Sequence, residues 1–156
     1  MLTDLQTSKT IHSIILADDD SDDHHFFQEA LKEAAPHIAL TLVKDGQELL
    51  DLLQHFLPDL VFLDLDMPVK NGLTCLQEIR KNDRIRSIGV VMFSSTSRPA
   101  NIETAYEMGA DLFYIKPSNY QELLTSLQKI ITLDWSKPEL IKAQYCPDGQ
   151  YHVFAV

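Results

Sequence analysis

The chain has 156 residues, 45% hydrophobic and 23% charged, which is ordinary for one globular domain and excludes a disordered tail. Its net charge of −10 disfavours nonspecific binding to nucleic acid or to an anionic membrane, because both are polyanions. The two cysteines, Cys75 and Cys146, have neither metal-site spacing nor a disulfide pattern. The N-terminus lacks the apolar core of a signal peptide, and no run of about 18 apolar residues occurs. These features predict a cytoplasmic protein whose partners are neither nucleic acid nor membrane.

Short apolar runs recur along the chain and are separated by more polar stretches. Each run is too short for a helix and is rich in Val, Ile, Leu or Phe, which is typical of strands buried on both faces. The five predicted strands are HSIILA (12–17), IALTLV (38–43), DLVFLD (59–64), IGVVMF (88–93) and DLFYI (111–115).

Apolar residues at helical spacing follow each of these runs and predict amphipathic helices. Ser21 and Asp45 stand where helix N-caps are expected, Gly109 stands where a helix-ending glycine is expected, and Asn71-Gly72 marks a turn. The predicted buried faces are 27/30/31/34, 49/52/53/56, 73/76/79, 102/105/106/109 and 123/127/130/131.

Five repeats of strand then helix predict an α/β fold, a doubly wound five-stranded parallel sheet with helices on both faces. We assign residues 1–10 to an N-terminal tail, 11–132 to the α/β domain and 133–156 to a short C-terminal extension. Ligands of such sheets bind at the carboxyl ends of the strands, near the point where the strand order reverses.

The residues that end the strands are therefore the candidate site residues. Carboxylates beside a divalent cation, with a lysine opposite, would form a place for a phosphoryl group. An aspartate carboxylate can itself accept that group and become an acyl phosphate. The strand-end residues are Asp18-Asp19, Asp64 in FLDLDMP, Ser94 in VVMFSSTS and Lys116 in FYIKPS.

Residues 14–131 resemble the receiver domain of two-component response regulators, in particular the stand-alone type exemplified by chemotaxis regulators. The signatures occur in order: an acidic pair, D-x-D-M-P followed by N-G, a Ser at the end of the fourth strand, and a K-P dipeptide. The resemblance implies a flavodoxin-like strand order of 2-1-3-4-5.

By this resemblance, Asp64 is the phosphoacceptor and the cofactor is Mg²⁺. Asp19 and Asp64 would bind the ion through their carboxylates, Asp66 through its backbone carbonyl, and Asp18 through water.

The resemblance also assigns a switch. Lys116 would pair with Asp64 or with the phosphoryl group, and Ser94 would donate a hydrogen bond to a phosphoryl oxygen. Phe113 takes the place of an aromatic residue that swings inward after that serine moves. The family often has Tyr there, so an output contact that needs the hydroxyl is in question. A cis peptide between Lys116 and Pro117 is also implied.

The implied function is a signalling switch, not an enzyme with a separate substrate. A histidine kinase or phosphotransfer protein would phosphorylate Asp64, and the acyl phosphate would later hydrolyse. The surface of the fourth helix, fifth strand and fifth helix would then change its preference for an unknown downstream protein. A homodimer through this surface or through the extension is a further expectation.

The acidic stretch from Asp18 to Asp23 allows other interpretations. It half-fits a calcium loop, but Asp23 stands where glycine is required and a strand precedes the stretch instead of a helix. Asp22 and Asp23 are predicted to lie in the first helical turn, where the helix dipole favours negative charge. Asp20 is predicted to be a solvated loop residue.

Two other functional classes compete with the switch. FLDLDMP also resembles the first motif of haloacid-dehalogenase-type phosphohydrolases, but here the paired acids precede the nucleophile and no length remains for a cap domain. A degenerate receiver that only binds partners is disfavoured because the acid set and Lys116 are both present.

The extension contains KAQYCPDGQYHVF, in which Asp148-Gly149 stands between alternating segments. This pattern predicts an extra strand or a hairpin. Trp135 is predicted to anchor the start of the extension.

Overall fold

A five-stranded parallel sheet lies at the centre of the computed structural model, which describes residues 9–155. The predicted tail 1–10 therefore lies almost wholly outside the described residues. Strands and helices alternate as predicted, and the chain adds a sixth α-helix. The elements are β1 (Ser13–Ala17), α1 (Ser21–Ala34), β2 (Ala39–Val43), α2 (Gly46–Leu53), β3 (Leu60–Leu63), α3 (Gly72–Lys81), β4 (Gly89–Ser94), α4 (Pro99–Glu107), β5 (Leu112–Ile115), α5 (Tyr120–Ile131) and α6 (Pro138–Tyr145).

The strand order is β2-β1-β3-β4-β5 and every pairing is parallel, which confirms the predicted topology. The backbone ladder continues one residue past three strands. The N–H of Asp18 donates to Val43 O, that of Asp64 to Ala17 O, and that of Lys116 to Ser94 O, at 2.9–3.1 Å. The sheet thus fixes the backbone of these residues at one edge.

Helices cover both faces of the sheet, so the strands are apolar along their whole length. Leu49 of α2, Leu76 of α3 and Ile102 of α4 pack on one face. Phe27 of α1 and Leu127 of α5 pack on the other, together with α6. No helix among residues 9–155 has the length and apolarity needed to cross a membrane.

The first helix begins differently from the prediction. Asp20, not Ser21, is its N-cap, and its carboxylate accepts hydrogen bonds from the N–H groups of Asp22 and Asp23 at 2.8 and 3.2 Å. Asp20 is therefore not merely a solvated loop residue. A carboxylate suits this position because it carries the charge that a helix N-terminus favours. Asp45 caps α2 as predicted.

The predicted C-terminal strand or hairpin is wrong. Residues 138–145 form α6, and a short 3-10 helix (Pro147–Gly149) follows. Asp148 does turn the chain, with φ of 56°, but the residues before it are helical and offer no strand for pairing. The alternating residues after it lie instead along β5, where the N–H of Phe154 donates to Phe113 O at 2.7 Å.

Trp135 anchors the start of the extension, as predicted. It is 2% exposed, and its Nε1–H donates to Ile130 O at 2.8 Å. A Cβ on Gly89 would lie 2.7 Å from its ring, so the strand and the indole are in close contact.

Candidate functional site

Three carboxylates meet at the carboxyl ends of β1 and β3. Asp18, Asp19 and Asp64 each place one oxygen within 4.8 Å of the other two. Asp18 is fully buried, Asp64 is 5% exposed and Asp19 is exposed, so the cluster opens to solvent on one side. Divalent cations such as Mg²⁺ and Mn²⁺ prefer oxygen ligands, and this cluster could hold one.

Burial raises the pKa of Asp64 above its ordinary value, and the nearby Asp18 raises it further. Lys116 acts in the opposite direction but does not outweigh the burial. A divalent cation among these oxygens would offset the cost of holding several carboxylates in a poorly solvated place.

The Lys116 ammonium contacts three carboxylates at once. Its Nζ lies 3.0 Å from Asp64 Oδ2, 2.7 Å from Asp18 Oδ2 and 2.7 Å from Asp23 Oδ2. Burial alone would lower the pKa of Lys116, but the three carboxylates outweigh it and raise the pKa well above its ordinary range. The amine is therefore held as a cation, and its Nζ also lies 5.6 Å from the ring centroid of Phe93.

The predicted cis peptide at Lys116–Pro117 is wrong, because the described residues contain no cis peptide bond. The long lysine side chain reaches Asp64 with the bond trans.

Asp23 is the site residue that sequence reasoning missed. It was expected only to lie in the first turn of α1, which it does, but its side chain also pairs with Lys116. Side chains of a helix lean towards its N-terminus, and that end of α1 faces the strand ends. This lean indicates that Asp23 lies near the strand ends, but it does not indicate which side chain Asp23 contacts.

His24 of α1 contacts the backbone just after the end of β1. It is 8% exposed, and its Nε2–H donates to the backbone carbonyl of Asp18. The carbonyl can only accept, so Nε2 carries the proton in this contact.

Ser94 and Phe113 lie on neighbouring strands and are both fully buried. Phe113 pairs in register with Met92, two residues before Ser94. The Ser94 hydroxyl accepts a long hydrogen bond from Thr96 N–H at 3.4 Å. The backbone N–H of Phe113 donates to the hydroxyl of Tyr106 on α4 at 2.9 Å. These contacts connect Ser94 to the loop after β4 and the backbone of Phe113 to α4.

Asp66 is exposed, and its backbone N–H donates to Asp64 Oδ1 at 3.3 Å. The loop after β3 returns closely to its start, because a Cβ on Gly72 would lie only 2.0 Å from the carbonyl oxygen of Asp64. Glycine is therefore required where α3 begins, and this packing fixes the position of Asp64.

Most of the chain matches a known protein family. Residues 14–128 match the response regulator receiver domain. The chain is a member of that family. Response regulators of this family are phosphorylated on an aspartate.

Several relatives support this assignment. The response regulator Rcp1 of Synechocystis is 28% identical over 124 residues, which cover 75% of this chain and 84% of Rcp1. Stress response regulator protein 1 of Debaryomyces hansenii is 24% identical over 77% of this chain, but the match spans only 50% of that longer protein.

Solved receiver structures share the fold. The phosphorylated cyanobacterial phytochrome response regulator RcpA superposes with a TM-score of 0.75 at 27% identity, over 82% of this chain and 96% of RcpA. The Mn²⁺-bound form of Rcp1 gives a TM-score of 0.70 at 28% identity, over 76% of this chain and 91% of Rcp1.

The receiver fold thus brings together Asp18, Asp19, Asp64 and Lys116, as the sequence predicted, and adds Asp23. The individual roles assigned to Ser94, Phe113 and the Asp66 carbonyl stay predictions.

Proposed function

We propose that this receiver is a phosphoryl-accepting switch in a phosphorelay, and that Asp64 accepts the group from the phosphohistidine of a histidine kinase or phosphotransfer protein. One observation carries the proposal: the Asp64 carboxylate lies within 3.0 Å of the Lys116 ammonium and beside the two acids that end β1. A nucleophile, a cation and a metal-ligand set therefore share one small, partly open site.

In the proposed transfer, a carboxylate oxygen of Asp64 attacks the phosphorus. The new P–O bond forms as the P–N bond breaks, and the histidine nitrogen leaves with the electron pair of that bond. Lys116 lies where its ammonium would neutralise part of the negative charge on the phosphoryl oxygens. Water later hydrolyses the acyl phosphate and restores Asp64.

Asp18, Asp19 and Asp64, with the Asp66 carbonyl, would hold the Mg²⁺ that we propose as cofactor. The ion would supply positive charge to the phosphoryl oxygens. The donor set fits a hard cation, and Rcp1, a relative, is known in a Mn²⁺-bound form. Asp18 Oδ2 is buried and accepts no well-directed hydrogen bond from residues 9–155, although it lies 2.7 Å from Lys116 Nζ.

We further propose that Ser94 and Phe113 pass the phosphorylation state to the surface of α4, β5 and α5. Their burial on neighbouring strands, and the hydrogen bond from Phe113 to Tyr106 of α4, support this route. The surface would signal only if a downstream protein has different affinities for the two states. The receiver would act in the cytoplasm, in keeping with two free cysteines, and not as an enzyme with a separate substrate.

Intact mass after treatment with acetyl phosphate, with and without Mg²⁺, tests the proposal. We expect one phosphoryl group per chain with Mg²⁺, little without it, and none in Asp64→Asn, which removes the nucleophile with almost no change in volume. Asp51→Asn is the matched control, because this exposed α2 carboxylate lies outside the site. Normal labelling of Asp64→Asn would refute the assignment. Steady turnover of small phosphate esters would favour the phosphohydrolase instead.

A further inference from the structure

Residues 149–155, called here the C-terminal segment, lie across the surface formed by α4, β5 and α5. The segment borders Ile102 of α4 on one side and Ser126 of α5 on the other. It therefore covers the same surface through which a phosphorylated receiver is proposed to signal.

Aromatic contacts hold the C-terminal segment in place. The Tyr151 ring stacks on the Tyr106 ring, with centroids 5.5 Å apart and planes at 15°. Phe154 is 4% exposed and packs edge-on against Tyr114 of β5, with centroids 5.6 Å apart. The segment thus has two aromatic anchors, one on α4 and one on β5.

The segment also occupies the polar edge of β5. An edge strand presents N–H and C=O groups that another chain could pair with. The C=O of Phe113 accepts from Phe154 N–H at 2.7 Å. The N–H of Phe113 donates to the Tyr106 hydroxyl, which in turn donates to His152 O at 2.7 Å. Both outward backbone groups of Phe113 are therefore tied to the segment, one directly and one through Tyr106.

We propose that the C-terminal segment is an internal ligand of this surface, that it blocks partner binding while Asp64 is unphosphorylated, and that phosphorylation releases it. This inference rests on the proposed switch function. Phe113 connects phosphorylation to release of the segment. Its ring is proposed to move on phosphorylation, and its backbone N–H and C=O groups hold the segment. Any shift of Phe113 or Tyr106 changes the hydrogen bonds to His152 and Phe154.

The segment is suited to release because few contacts hold it. It forms no regular secondary structure after the 3-10 turn, and among its residues only Phe154 is buried. Segments with few buried contacts open at low free-energy cost without unfolding the rest of a protein. Helix α6 has further contacts of its own, through Ile141 in the core and Lys142 Nζ donating to Tyr106 O at 2.9 Å, and its Tyr145 ring also lies 5.7 Å from the Phe154 ring.

Hydrogen exchange of the 156-residue chain, before and after phosphorylation with acetyl phosphate and Mg²⁺, tests the inference. We expect the amide of Phe154, which donates to Phe113 O, to exchange about tenfold faster or more in the phosphorylated chain, while the amides of α6 are unchanged. Intact mass of the same samples reports phosphorylation of Asp64. Unchanged exchange of the segment in a phosphorylated sample would overturn the inference alone. Failure to phosphorylate would overturn the proposed function, and this inference with it.

A pair of variants tests the blocking contact without phosphorylation. Phe154→Ala removes the buried anchor, so the amide of residue 154 in the unphosphorylated variant should exchange at nearly the rate of the same amide in the phosphorylated wild type. His152→Ala is the matched control, because its side chain is exposed and only its backbone carbonyl is used. Wild-type exchange in Phe154→Ala, or equal acceleration in both variants, would refute the anchoring role of Phe154.

Discussion

Replacing Asp23 with Asn should speed phosphorylation of Asp64 by small donors. Asp23 adds a negative charge beside the site and competes with the incoming phosphoryl group for the Lys116 ammonium. Lys116 would stay in place without this charge, because it keeps its contacts to Asp18 and Asp64.

The size of the effect follows from the distances. The Asp23 and Asp64 Oδ2 atoms lie 2.7 and 3.0 Å from the same nitrogen, so they are at most about 6 Å apart. The phosphoryl group bonds to an Asp64 oxygen, so this separation approximates its distance from Asp23. At that distance, one negative charge on Asp23 and one on the phosphoryl group repel by about 0.7 kcal/mol in water and by about 3 kcal/mol at an effective dielectric constant of 20. The Asp23 side chain is 32% exposed, so the lower part of this range applies. We therefore expect an acceleration of about 3- to 10-fold.

The assay compares rate constants for phosphorylation by acetyl phosphate and by phosphoramidate at saturating Mg²⁺. Acetyl phosphate is the more negatively charged donor at neutral pH, so it should gain more from Asp23→Asn. Asp22→Asn is the matched control, because it makes the same charge change in the same helical turn, at an exposed residue that does not contact Lys116. Rates that are unchanged or slower with both donors would refute the reasoning, as would equal gains in both variants.

Two further substitutions test how the fold supports the site. Gly72→Ala should lower the free energy of unfolding by about 1–3 kcal/mol and slow phosphorylation, because the new Cβ would collide with the Asp64 carbonyl. Helix propensity alone predicts stabilisation, so a more stable variant in urea denaturation would contradict this. Tyr106→Phe should cost about 1–3 kcal/mol, because the buried N–H of Phe113 loses its acceptor. Tyr120→Phe, at an exposed hydroxyl, is the control, and equal urea midpoints for both would refute the argument.

Much of the fold could be read from local patterns in the sequence. The five apolar runs became strands and the five helical stripes became helices, because burial on both faces of a sheet and on one face of a helix leaves characteristic spacings. The strand order came from the family resemblance, since periodicity says nothing about which strands are neighbours. Asp18, Asp64 and Lys116 could be placed together because parallel strands end at one edge.

The sequence by itself therefore determined the secondary structure of residues 13–131, the edge that carries the site and most of its charged residues. Only the tertiary structure decided which side chains meet there: Asp23 lies 93 residues before Lys116, and no local pattern records that pairing. The same holds for the C-terminal segment, whose alternating residues suit any sheet edge. They lie on β5 because it is an edge strand, whose outward backbone groups are not used by β4 and accept the Phe154 N–H.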